Sequence, residues 1–237
     1  AGKDSISPNR HPEIGSAADL LDMIAHLRDT TGLPVGFKAV IGAWGWLDEL
    51  FELVIERGLE SAPDFITVDS GDGGTGAAPM SLIDNVGLPV KESLPLVVDR
   101  LCYYGLRERV RVIASGKLIN PVDAAVALCL GADFINSARG FMFALGCIQA
   151  LQCNKNTCPT GITTHNPRLQ RGLHPQEKAV SVANYCKSVR REVEVIAHSC
   201  GVAHARALTR RHVRIVQGNG LSVSLADLHP PVMAERV

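Results

Sequence analysis

Between Leu20 and Phe141, short apolar runs and amphipathic stretches of helical period alternate four times in this 237-residue chain. No other feature constrains the fold as much, because strands separated by helices build parallel βα units. Ser16 is placed to cap a first helix, with Asp19 three residues on and Leu20, Leu21, Ile24 and Leu27 on one face. Gly32 ends that helix and Pro34 blocks its extension. Residues 35–41 read as a buried strand that carries one lysine, Lys38. Residues 46–58 are helical again, with Leu47, Leu50, Phe51, Val54 and Ile55 as the apolar stripe. A second strand over 64–69 runs into a glycine-rich loop at 70–79, and a helix follows over 92–105. The third strand, 110–114, is followed by Ser115, Gly116 and Lys117. Asn120 as cap and Pro121 in the first helical position open a helix that reaches Gly131. The fourth strand, 133–137, leads into Ala138, Arg139 and Gly140, read as a strand-end loop.

After Phe141 the pattern changes. The spacing predicts a βα region over 1–146, a cysteine segment over 147–165 and a helical extension over 166–237. In the extension, Val180, Val182, Tyr185, Val189, Val193 and Ile196 mark one long helix ending at Gly201. A short helix over 203–209 and a weakly patterned tail from Gln217 follow. Four βα units are half of what a closed barrel needs. They fit either an open doubly wound sheet or half of a barrel, and half a barrel leaves two open sheet edges and an apolar inner face in water.

Lys and Arg number 24 and Asp and Glu 24, a balance that speaks against a basic nucleic-acid footprint. No run approaches the roughly 18 apolar residues of a membrane helix. No basic-then-apolar leader opens the chain, which points to a cytoplasmic protein. The first residue is Ala, so either processing has occurred or the chain is part of a longer protein. Seven cysteines, an odd number, do not suit a secreted disulfide framework. Cys102, Cys129, Cys186 and Cys200 sit in apolar or helical patterns and read as buried or idle thiols.

The residues suited to chemistry cluster just after the strand ends, the face that holds ligands in barrels and in open α/β sheets. Asp69, Asp72, Gly73, Gly74 and Thr75 belong to a loop whose glycines let the backbone approach a ligand or make a tight surface turn. The loop is neither the dinucleotide nor the Walker fingerprint. Ser115, Gly116 and Lys117, with Arg139 and Gly140, offer amides and positive charge after adjacent strands, as a phosphate site requires. Each alone reads as an ordinary turn with a solvated cation; it is the two adjacent loops together that point to a phosphate site. A lysine in a buried strand is costly unless paired. Lys38 therefore either steadies negative charge on a cofactor or substrate or pairs with Asp69 or Asp72, and both can hold. Cys147, Cys153 and Cys158 follow the spacing C-x5-C-x4-C with Pro159 after the last. Three thiolates suit a three-iron cluster. Zinc would need a fourth ligand such as His165. Trp44 and Trp46 flank a helix start and read as packing residues, and the histidines have no partner visible in sequence.

Taken in order, the strand GFKAVIG, the loop DSGDGGTGAAP and the cysteine segment with NTCPTG resemble the synthase domain of the glutamate synthases. The resemblance runs from about Ser5 to about His165. It implies the C-terminal half of a (β/α)8 TIM barrel, about four βα units, that binds FMN beside a 3Fe-4S cluster. The implied reaction makes L-glutamate from 2-oxoglutarate and ammonia drawn from glutamine, with reduced FMN delivering a hydride to 2-iminoglutarate. Electrons come through the cluster from ferredoxin or an NADPH-oxidising subunit. By the resemblance, Cys147, Cys153 and Cys158 are cluster ligands and Lys38 lies near flavin and substrate. Ser115, Gly116, Lys117, Arg139 and Gly140 fall in the flavin-phosphate loops. Asp69, Asp72, Gly73, Gly74 and Thr75 flank the isoalloxazine and substrate. The segment reads CNKNTCPTG where the large synthases commonly have CHLNTCPVG, and there is no N-terminal cysteine nucleophile. These departures point to the short branch of the family, with ammonia from a separate glutaminase subunit or from solution. An N-methylglutamate-forming subunit is the alternative enzyme. A zinc-stabilised structural subunit is the non-enzymatic one.

Overall fold

The computed structural model describes residues 11–72, 82 and 84–234. Helix α1 (Ala17–Thr31) starts where the Ser16 hydroxyl accepts the Asp19 amide at 3.1 Å, and stops at Gly32, whose φ of 65° is left-handed. Strand β1 (Phe37–Val40) and helix α2 (Gly45–Arg57) follow, then β2 (Phe65–Asp69) and α3 (Val90–Tyr103). Next come β3 (Arg111–Ser115), α4 (Pro121–Cys129) and β4 (Phe134–Asn136). Helix α4 opens as its cap predicts: the Asn120 side chain accepts the Asp123 amide at 2.9 Å, with Pro121 next to it.

The four strands pair in parallel in the order β1-β2-β3-β4. Successive helices pack against one another, α1 on α2, α2 on α3 and α3 on α4. Ile66, Val68, Val112 and Ala114 are fully buried and belong to one core with Leu47, Leu50, Phe51 and Val54 of α2 and Leu94, Val97 and Leu101 of α3. Each such side chain contributes about 1.5–3 kcal/mol by leaving water. A doubly wound sheet reverses its strand order and takes helices on both faces. Consecutive order with the core on one side is instead the arrangement of half a (β/α)8 barrel, and no pairing joins β4 back to β1.

The opposite face is built in rows by the register. Lys38, Thr67, Ile113 and Phe134 form one row, and Val40, Asp69, Ser115 and Asn136 the next towards the strands' C-terminal ends. This inner face is not the apolar surface expected from the sequence. Val40 and Phe134 are exposed, at 45% and 48%, but Lys38 and Asn136 stand beside them in water and Thr67 and Asp69 are buried. The upper row is largely polar because it lies where βα sheets place their ligands.

Two further sequence readings are corrected, at α5 and in the tail. Ala138, Arg139 and Gly140 are not a loop but the first turn of α5 (Ala138–Ala144). The stretch from Pro159 contains a short helix, α6 (Pro167–Gln170). The tail is patterned after all: β5 (Arg214–Val216) and β6 (Ser222–Ser224) form an antiparallel hairpin ahead of α8 (Leu225–Leu228). The long helix α7 (Pro175–Ser199) packs on α4 and α5. Buried Arg210 ties the tail to α3 through Asp99 at 2.6 Å and the His229 carbonyl at 2.9 Å. Among the described residues, no helix is long and apolar enough to cross a membrane.

Candidate active site

The polar row gathers several of the residues singled out by sequence. Lys38 sits one row below Asp69, and its Nζ reaches up to Asp69 Oδ2 at 3.2 Å. The two ends differ sharply: the Lys38 side chain is 56% exposed and that of Asp69 only 6%. The lysine is therefore not buried, as the strand pattern suggested, because the face it occupies has no helix over it. The ion pair with Asp69 is the partnership that neighbouring parallel strands allow. Asp72 takes another role. Its Oδ1 accepts from the Ser70 hydroxyl and, at 3.2 Å, from the Val90 amide, pinning the loop to the start of α3. Gly73, Gly74 and Thr75 lie outside the described residues.

Ser115 is in register with Asp69, so the β2 and β3 ends adjoin. Gly116 follows with a φ of 140°, and a Cβ there would meet Ser70 Oγ at 1.9 Å. Only glycine lets these two loops close on each other. Lys117, at a φ of 49°, pairs with Asp84 at 2.5 Å. The Arg139 side chain makes no ion pair or hydrogen bond among the described residues, so its charge is available to an anion. Gly140 plays a packing part. Its missing side chain leaves room for Tyr185 of α7, whose Oη would lie 1.8 Å from a Cβ. Tyr185 donates to the Ile119 carbonyl at 2.6 Å and lies 2.9 Å from Ser137 Oγ, joining α7 to the loops after β3 and β4. Asn136, a member of the polar row, was missed by sequence reading; its signal was the two-residue alternation along β4.

Cys147, Cys153 and Cys158 line one cavity of about 10 Å³ with Met142, Thr160 and Thr163. Cys147 Sγ accepts the Gln149 amide at 3.4 Å, and Cys158 Sγ lies 3.3 Å from the Thr160 hydroxyl. Burial pushes the Cys158 thiol up, but the Thr160 hydroxyl and the amides of Thr163 and Thr160 outweigh it and bring the pKa down to about 6. The Thr163 hydroxyl also lowers it, although its buried oxygen makes no hydrogen bond of ordinary geometry. Cys158 is thus mainly thiolate at neutral pH, the form that binds metal. Gln149, Leu151 and Asn156 all have positive φ, a concentration of left-handed non-glycine residues typical of functional loops.

Among the described residues, no three His, Cys, Asp or Glu side chains converge on a point where one ion would sit. A tetrahedral zinc site with His165 needs that convergence. A cluster spreads its thiols over several irons and does not. The donor set fits a cluster in kind, with thiolate character and sulfur-directed donors already in place. Cys129, by contrast, is pushed up to about 12 by burial and then by Cys200, and is inert.

Consecutive parallel βα units with a polar, charged row at the strand ends define half of a (β/α)8 barrel. A profile described as a conserved region in glutamate synthase matches residues 1–203, and the chain belongs to the glutamate synthase family. The glutamate synthase large subunit-like protein YerD of Bacillus subtilis is 44% identical over 227 residues, covering 96% of this chain and 43% of its own length. Archaeal-type glutamate synthase [NADPH] of Dehalococcoides mccartyi is 32% identical, over 93% of this chain and 43% of its length. Archaeal glutamate synthase [NADPH] of Methanocaldococcus jannaschii is also 32% identical, over 93% and 42%. The chain thus spans about two-fifths of the length of these relatives. Among solved structures, a double mutant of flavocytochrome b2 with pyruvate bound matches 80% of the chain at 21% identity with a TM-score of 0.44.

Proposed function

We propose that this chain supplies the C-terminal barrel half of a glutamate synthase, converting 2-oxoglutarate and glutamine-derived ammonia to L-glutamate. The observation that carries this reading is the shared cavity of Cys147, Cys153 and Cys158, one short helix beyond β4, the last strand of the parallel sheet. When bound, FMN supplies two reducing equivalents to the carbon–nitrogen double bond of 2-iminoglutarate, and a 3Fe-4S cluster supplies electrons singly.

The chain's own residues have separate tasks. Lys38 presents an ammonium, oriented by Asp69, to the carboxylates of the substrate or the electron-rich edge of the flavin. Asp72 holds Ser70, at the end of β2, to the start of α3 beside the same mouth. Ser115, Gly116 and Lys117 line the phosphate side, Arg139 receives the phosphate charge, and Gly140 sets the height of α5. The three thiolates hold the cluster. Residues 1–146, 147–165 and 166–237 act as flavin-side barrel half, cluster segment and buttress. The electron donor is ferredoxin or an NADPH-oxidising subunit, and the names of the archaeal-type relatives support the latter. A separate glutaminase subunit delivers ammonia, in the cytoplasm.

Anaerobic purification of the full natural polypeptide, followed by its visible spectrum and iron analysis, tests the reading. Flavin and iron absorbance are expected, together with turnover of 2-oxoglutarate and ammonia in preference to methylamine. Absence of both cofactors overturns it.

A further inference from the structure

We propose that the hydroxyls of Thr160 and Thr163 are positioning residues that raise the reduction potential of the cluster held by Cys147, Cys153 and Cys158. The inference rests on the cluster assignment above and adds residues to it.

Four threonines lie in the cysteine segment, and three of their hydroxyls can be followed to a partner within the loop itself or to its sulfur. Thr157 Oγ1 donates to Gln152 Oε1 at 3.2 Å. Thr164 Oγ1 donates to the Asn156 carbonyl at 2.7 Å and accepts the Asn166 amide at 3.1 Å. Those two hold the loop's shape. Thr160 Oγ1 instead lies 3.3 Å from Cys158 Sγ. Thr163 Oγ1 is buried and has no hydrogen-bond partner, alone in this among the side-chain polar atoms of the described residues. A hydroxyl in that state is costly and calls for an acceptor. Thr163 also lines the cavity shared by the three cysteines, which brings their sulfurs among the acceptors around it.

Reducing a cluster by one electron adds negative charge that is spread over its sulfurs. A donor aimed at those sulfurs stabilises the reduced form more than the oxidised form, so the potential rises. Thr160 acts at the Cys158 thiolate, and Thr163 at a sulfur within the cavity. A backbone donor already serves Cys147 through Gln149, so the two threonines add to the donors directed at the site.

The test is an EPR-monitored redox titration of the full natural polypeptide, purified anaerobically, with iron content measured alongside. Thr160→Val and Thr163→Val keep side-chain shape and remove the donor; each is expected to lower the midpoint potential, and the double variant to lower it further. Thr160→Ser and Thr163→Ser restore a hydroxyl and are expected to return the wild-type value. Val variants with full iron content and unchanged potential overturn the proposal. Loss of iron from Val and Ser variants alike assigns both residues to packing and overturns it too. Iron lost with Val but kept with Ser supports a hydroxyl contact. A wild-type protein without an iron–sulfur signal brings down the cluster assignment itself, a different failure that the same titration shows first.

Discussion

At Lys38 and Asp69 the environments of two opposite charges are unequal, and this decides what each substitution does. Lys38→Ala leaves the Asp69 carboxylate, only 6% exposed, without its ion-pair partner. Because Lys38 itself is 56% exposed and solvated, the expected stability loss is modest, about 1 kcal/mol by urea titration. Activity should fall far more, roughly 100- to 1,000-fold in kcat, as for removal of one preorganised charge-stabilising donor. Cys158→Ser is expected to abolish iron binding, read as loss of iron absorbance with the flavin spectrum retained. The pairing of Lys38 with Asp69 was legible in sequence, since adjacent parallel strands place such residues side by side. The exposure of Lys38 was not, because it depends on what covers the other face of the sheet. The three cysteines were legible by spacing, whereas the orphaned Thr163 hydroxyl emerges only from how the loop folds back.

Elements show the same division. The caps of α1 and α4 were readable because Ser16 and Asn120 act on amides three residues away. The start of α5 was not, because Gly140 is a poor helix former, retained there for the space it gives Tyr185. Gly140→Ala should therefore destabilise, by about 1–3 kcal/mol from overpacking against Tyr185, measured by thermal melting. The tail hairpin was missed because its strands are three residues each, too short to show alternation, although Asn219-Gly220 marks the turn. Asp64, read only as the beginning of a strand, ties three elements at the opposite end of the sheet. It accepts from Arg28 of α1 at 3.0 Å, from Arg109 at 2.9 Å and from the Val35 amide at 2.8 Å. Burial pushes its carboxyl up, but the Val35 amide and the two guanidiniums outweigh it and hold the pKa below the usual 3.8. A depressed folded pKa means that its stabilisation is fully present above 3.8 and is lost as pH falls through the lower folded value. Asp64→Asn should cost about 1–3 kcal/mol at neutral pH and progressively less in acid, by urea unfolding across that range.

For the whole molecule, four sequential βα units were legible because each is set by local periodicity. The mixed character of the inner face was not, since row membership comes from register between distant strands. The face presents Val40 and Phe134 to water, and β1 and β4 are both edge strands. The 237 residues produced alone are expected to self-associate through this face. Val40→Lys with Phe134→Lys should shift sedimentation velocity towards monomer; unchanged association would place the contact elsewhere.

The Lys38–Asp69 pair has one more effect. Side chains alternate between the two sides of a strand, so sliding β1 by a single residue against β2 would swing the ammonium under the helices, beside Ile66 and Val68. Only one alignment of the two strands lets that charge reach its carboxylate. A contact that serves the reaction thereby also acts as a latch on assembly, rejecting mis-slid sheets before the mouth of the site is complete.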